Sequence, residues 1–154
     1  MNGLRIGDPA PDFTLRDQFG QEVSLSSYRG TKAVAILFYP YAFSGVCTGE
    51  MAGIRDRLAD FMTFDTEVLA ISCDPMFALR AFADADGLNF PLLSDFWPHG
   101  EVSRAYDVFD ERNGCPRRSS YVVDREGALR WAVHNAMPEG RDLDEHLRQL
   151  ADAV

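Results

Sequence analysis

The chain has 154 residues, 46% of them apolar and 25% charged, a balance that fits one globular domain and excludes both a disordered chain and two ordinary cores. Its formal charge of −9, with Lys32 the only lysine, argues against a nucleic-acid-binding face or a polybasic membrane anchor. The longest apolar run, Ala33–Phe43, is interrupted by Pro40 and falls short of the ~20 residues of a membrane span; the opening MNGLRIGDPAPDF has no apolar leader core, so a cytoplasmic location is expected.

In chain order, Asp12–Arg16 reads as a strand that turns at Gln18–Gln21 into a second short strand, Glu22–Leu25. Ala33–Tyr39 is continuously apolar, the pattern of a strand covered on both faces. From Cys47 the period becomes helical: Ile54, Leu58, Phe61 and Met62 form one stripe, with Arg55, Asp56, Arg57 and Asp60 opposite. A second buried strand, Glu67–Ser72, leads to a helix with Asp74 as N-cap and Pro75 in its first turn. The stripe of that helix takes in Phe77, Leu79, Ala81 and Phe82, and Gly87 stops it. A strand at Pro91–Leu93, a helix at Glu101–Tyr106 and a strand at Ser120–Asp124 follow. The turn Asp124–Gly127 joins the last of these to Ala128–Val133 as a hairpin. A final helix, Asp142–Ala153, places Leu143, Leu147 and Leu150 on one side. This order predicts an α/β chain with a mixed central sheet flanked by helices: a thioredoxin-like fold with an added N-terminal β-hairpin, one domain over residues 1–154.

Three widely spaced cysteines, Cys47, Cys73 and Cys115, do not form a disulfide framework, and with His only at 99, 134 and 146 no zinc-ligand spacing exists. Cys47 stands where a buried strand gives way to a helix. Unpaired backbone N–H groups and the positive end of the helix dipole there favour a thiolate over a thiol. Ser44, one turn upstream, offers a hydroxyl to the sulfur or to an oxygen bound to it, and Pro40 rigidifies the loop and can shield it from water. Cys73 ends an apolar strand and reads as an inert core thiol. Cys115 lies in the polar loop Asp110–Pro116 and is expected at the surface. His134 and His146 read as solvent-facing, and His99 as a loop residue without a catalytic part.

Pro40-x-x-x-Ser44-x-x-Cys47 resembles the active-site signature of the peroxiredoxins, thiol peroxidases of thioredoxin-like fold. Gly7–Leu15, Phe90–Asp95 and Arg118–Asp124 extend the resemblance over essentially the whole chain. Ala42–Cys47 and Leu93–Gly100 look most like the actinobacterial alkyl hydroperoxide reductase E subgroup. The resemblance implies that Cys47 is the peroxidatic cysteine, that Ser44 hydrogen-bonds the peroxide, that Pro40 shields the sulfur and that Arg118 is the active-site arginine. Arg117 is the alternative, since alternation along a strand turns only one of the pair inward. Glu50, counted with the substrate-binding residues, either holds the arginine, accepts a backbone bond or interacts with the helix dipole; Phe43, Phe96 and Trp97, near the active site or the dimer contact in the resembled subgroup, become candidate walls of a substrate channel.

Ala52 occupies the place where one subgroup carries a resolving cysteine, so a one-cysteine mechanism is expected. An external thiol or redoxin would then act as reductant, with no metal, flavin or haem cofactor. The family also implies at least a homodimer. Two other readings stand beside the hydroperoxide reductase: a redox relay that passes oxidation from Cys47 to a partner, and a chaperone-like module on the same fold.

Overall fold

The computed structural model describes residues 4–154; residues 1–3, where the stretch read above as lacking a leader begins, lie outside the described residues. The strands are β1 (Thr14–Arg16), β2 (Glu22–Ser24), β3 (Ala33–Phe38), β4 (Thr66–Ser72), β5 (Leu92–Ser94), β6 (Phe109–Asp110), β7 (Cys115–Pro116), β8 (Ser119–Val123) and β9 (Leu129–His134). The helices are α1 (Gly45–Asp56), α2 (Leu58–Phe61), α3 (Met76–Asp86), α4 (Glu101–Ala105) and α5 (Leu143–Asp152), with a 3-10 turn at Leu25–Tyr28. Seven strands form one mixed sheet in the order β2-β1-β5-β4-β3-β8-β9, and β6 and β7 make a separate two-stranded ribbon.

The sheet is covered on both faces, as the apolar run of β3 requires. Ala33, Ala35 and Leu37 face a core built with Met51 and Ile54 of α1, Leu79 and Phe82 of α3 and Leu150 of α5. Val34, Ile36 and Phe38 alternate to the opposite face, where Phe13, Val102 and Tyr106 pack. The N-terminal hairpin continues this sheet, because Arg16 of β1 pairs with Ser94 of β5. Among the described residues no helix is long and apolar enough to cross a membrane.

Register explains how distant residues meet. Strands β3 and β4 run parallel, so the segments after Phe38 and Ile71 leave the same edge of the sheet. Strand β8 runs antiparallel to β3, with Ser119 opposite Phe38. The residue before β8, Arg118, therefore arrives where β3 passes into α1.

Several local expectations are corrected. The helix after Cys47 breaks at Arg57, whose backbone leaves the helical region (φ −119°, ψ 24°), so the stripe is shared between α1 and α2. Phe77 and Ala81 point outward from α3, and its buried stripe is Leu79, Phe82 and Ala83. Asp74 does not cap α3; Pro75 holds that position. The Asp74 carboxylate instead accepts the Ala42 N–H at 2.8 Å and the Ser72 hydroxyl at 2.7 Å, tying the loop before α1 to the end of β4. Gly87 does end α3, in the left-handed conformation (φ 66°) that glycine adopts without steric cost.

Candidate active site

Ser44 is the N-cap of α1, and Cys47 is the third residue of the helix. The first-turn N–H groups, that of Cys47 among them, have no carbonyl one turn back. The Ser44 carbonyl accepts the first helical bond, from Thr48 N at 2.8 Å, while its hydroxyl donates to Tyr41 O at 2.9 Å rather than to the sulfur. Phe43 reaches this cap with a left-handed backbone (φ 68°), a conformation that costs a bulky residue energy and is held by its surroundings. Its ring lies 5.0 Å from that of Phe82.

Cys47 is fully buried (0% exposed). Its Sγ lies 3.5 Å from the Nη1 of Arg118. Arg118 is buried as well, with Nε and Nη2 donating to Met137 O at 3.1 and 2.9 Å. Arg117, beside it in the chain, is exposed and donates to Asp107 O. Arg118 Nη1 also meets Glu50 Oε1, and the same oxygen accepts Nη1 of Arg141 at 2.7 Å. The other oxygen of Glu50 accepts the Arg141 backbone N–H at 2.7 Å. Arg141 further donates to Ser120 Oγ at 2.9 Å, to Ser119 O at 3.2 Å and to Phe38 O.

This buried cluster sets two guanidinium groups against one carboxylate. Burial pulls the Arg141 guanidinium down to about 10, while Glu50 and Cys47 oppose that shift, so it stays charged at neutral pH. The guanidinium groups of this buried cluster outnumber its carboxylate by one. Glu50 therefore binds both arginines. Arg141 is the residue that sequence reasoning missed. It sits in a polar loop 91 positions from Glu50, and no local pattern marks it as buried.

A pocket of about 260 Å³ opens beside the cluster, lined by Pro40, Ser44 and Arg118 together with Tyr41, Gly45, Val46 and Met137. The structure thus brings Pro40, Ser44, Arg118 and the buried Cys47 together. Phe43 is 56% exposed on the flank of α1, outside this lining. Trp97 is 81% exposed and lines another groove, with Phe77 and Phe96, outside the pocket beside Cys47. That loop follows β5, two strands away from β3 in the sheet.

The other thiols differ. Burial, with the Asp95 carboxylate adding to it, pushes the Cys73 thiol up to about 12. Cys115 is not at the surface: it is fully buried (0% exposed) in β7, opposite Asp110. Burial raises its thiol too, although the Tyr41 hydroxyl pulls the other way. His146 is also buried, contrary to expectation, whereas His134 is exposed.

A seven-stranded thioredoxin-like sheet, with a cysteine in the first turn of the helix after β3 and an arginine beside the sulfur, defines a thiol-based redox enzyme. The chain matches the AhpC/TSA family over residues 6–132 and belongs to that family, and it is a peroxiredoxin. It is 50% identical over 139 residues to alkyl hydroperoxide reductase E of Mycobacterium tuberculosis, covering 90% of this chain and 91% of that protein. It is 36% identical over 160 residues to a mitochondrial thioredoxin-dependent peroxide reductase of Drosophila melanogaster, covering 97% of this chain and 67% of the other. Its structure resembles the crystal structure of Enterococcus faecalis AhpC with a TM-score of 0.86 at 30% identity, covering 96% of this chain and 90% of that one.

Proposed function

We propose that this peroxiredoxin reduces hydrogen peroxide, organic hydroperoxides and peroxynitrite through Cys47, and that an external thiol or redoxin restores it. The observation that carries the reading is the sulfur at the start of α1, 3.5 Å from Arg118, inside a buried cluster that lacks one negative charge. Peroxide enters through the pocket of Pro40, Ser44 and Val46. The Cys47 thiolate attacks one peroxide oxygen, so that an S–O bond forms and the O–O bond breaks. Sulfur gives up two electrons and becomes a sulfenic acid; the other oxygen leaves as water or alcohol, taking up the proton that the thiol released on ionising, or, from peroxynitrous acid, as nitrite. Arg118 stabilises the charge that grows on the departing oxygen. Ser44, turned from Tyr41 O, donates its hydroxyl to the peroxide, and Pro40 keeps water from the sulfur.

Reduction needs two electrons from outside. A thiolate of the reductant attacks the sulfenic sulfur and displaces water, and a second thiol frees Cys47 from the mixed disulfide. The name of the Drosophila relative supports a thioredoxin-type donor. Three free cysteines agree with a reducing compartment, and we place the reaction in the cytoplasm. The exposed Phe77, Phe96 and Trp97 offer an apolar face to a second copy of the chain, in line with a homodimer or larger homo-oligomer.

Peroxide consumption with each reductant supplied in turn tests the reading. Many turnovers per protein, lost in Cys47→Ser, are expected. A single turnover that no small thiol or redoxin can extend would favour the relay, and unchanged turnover in Cys47→Ser would refute the site.

A further inference from the structure

His146 lies in the first turn of α5 and is buried (1% exposed). Its ring stands edge-on to Trp131 of β9, with centroids 4.9 Å apart. Nδ1 is 2.6 Å from Asp142 O, and Nε2 is 2.7 Å from Ser120 Oγ. These partners fix the direction of every bond. A carbonyl only accepts, so Nδ1 carries the proton and donates to Asp142 O. Nε2 is then bare and accepts the Ser120 hydroxyl proton. With that proton committed, the lone pairs of Ser120 Oγ face Arg141, whose Nε–H donates to them at 2.9 Å.

From Arg141 the chain of bonds continues through Glu50 to Arg118 and ends at the Cys47 sulfur. We propose that neutral His146 is a positioning residue of the peroxidase site: by orienting the Ser120 hydroxyl it holds Arg141, and through Arg141 and Glu50 it holds Arg118 against Cys47. The proposal rests on the reading of Cys47 as the reacting thiol. A protonated imidazole would turn Nε2 into a donor, aim two donors at Ser120 Oγ and place a second cation beside Arg141. Burial, aided by Arg141, keeps the imidazole below its ordinary value, while Asp142 and Glu145 on the helix side oppose this. Ser120 from β8 and Trp131 from β9 complete its surroundings and carry no charge.

The test uses the full chain with Cys73→Ser and Cys115→Ser, so that only Cys47 can be alkylated. Peroxide reaction rate and the pH profile of Cys47 alkylation are measured with His146, His146→Leu, His146→Gln and Ser120→Ala. A Gln amide oxygen can still accept the Ser120 proton; Leu cannot. Loss of one oriented hydrogen bond corresponds to about a tenfold slower reaction with peroxide in His146→Leu and Ser120→Ala. The alkylation profile of both should move to higher pH, and His146→Gln should restore rate and profile. Folded His146→Leu with the parental rate and profile would overturn the proposal, as would His146→Gln impaired as badly as Leu. Should His146→Leu fail to fold, Ser120→Ala decides by the same two readouts. If the parent consumes no peroxide, the peroxidase reading fails alone, because the alkylation profile still reports on the relay of bonds.

Discussion

Cys47 and Cys73 follow the ends of adjacent parallel strands, leave the sheet at the same edge and are both buried. Their charged neighbours have opposite sign. Cys47 lies at a helix start against Arg118, with Arg141 behind it, whereas at Cys73 the Asp95 carboxylate adds to burial in disfavouring the thiolate. On the proposed function, a buried thiol at this edge of the sheet is inert or reactive according to the charge its burial encloses. Desolvation penalises a thiolate at Cys73, and the Asp95 carboxylate adds to that penalty.

The sharpest way to break this contrast is to remove the sulfur. Cys47→Ser should reduce peroxide consumption to background while Cys73→Ser keeps the parental rate, both followed by loss of peroxide with time. Next comes the cation. Arg118→Ala should slow the stopped-flow reaction with peroxide by at least ~10²-fold, the cost of one preorganised donor, and Arg117→Ala should remain near parental. Glu50→Gln leaves two buried guanidinium groups without a carboxylate and should lower stability by about 3 kcal/mol in urea unfolding.

A smaller effect concerns pH. Burial holds His146 below the usual histidine value. As pH falls through about 6.5 the unfolded chain therefore takes up more protons than the folded one, and stability declines until the folded-state value is passed. The melting temperature should fall between about pH 7.5 and about pH 6, and His146→Gln should flatten that slope. Glu67 and Asp95 act with the other sign: their carboxyls are raised by burial, so their contribution is present at acid pH and fades as pH climbs above the ordinary carboxylate range.

How much of this was legible in the sequence depended on whether a signal was local. The β3 strand announces itself because both its faces are apolar, and Cys47, Ser44 and Pro40 lie within one short motif at a strand-to-helix junction. Arg118 follows from the family resemblance; alternation says only that one of Arg117 and Arg118 turns inward. Arg141 and His146 do not, since their partners Glu50 and Ser120 are far away in sequence and a charged or polar residue in or near a loop reads as solvated. Cys115 was hidden by its polar neighbours: a two-residue strand is too short to show a period, yet its pairing with Asp110 folds the thiol inward. Asp74 precedes a proline at a helix start and reads as a cap, but Ala42 N and Ser72 Oγ claim its carboxylate.

The central claim is that charge environment selects one of three buried thiols for reaction with peroxide. One molar equivalent of peroxide should be added to the reduced chain with a sulfenic-acid trapping reagent present, and each cysteine mapped by non-reducing mass spectrometry. The account predicts a trapped adduct on Cys47, with Cys73 and Cys115 left as free thiols. An adduct on Cys73 or Cys115, or a dominant Cys47–Cys115 disulfide in place of the Cys47 adduct, would contradict it.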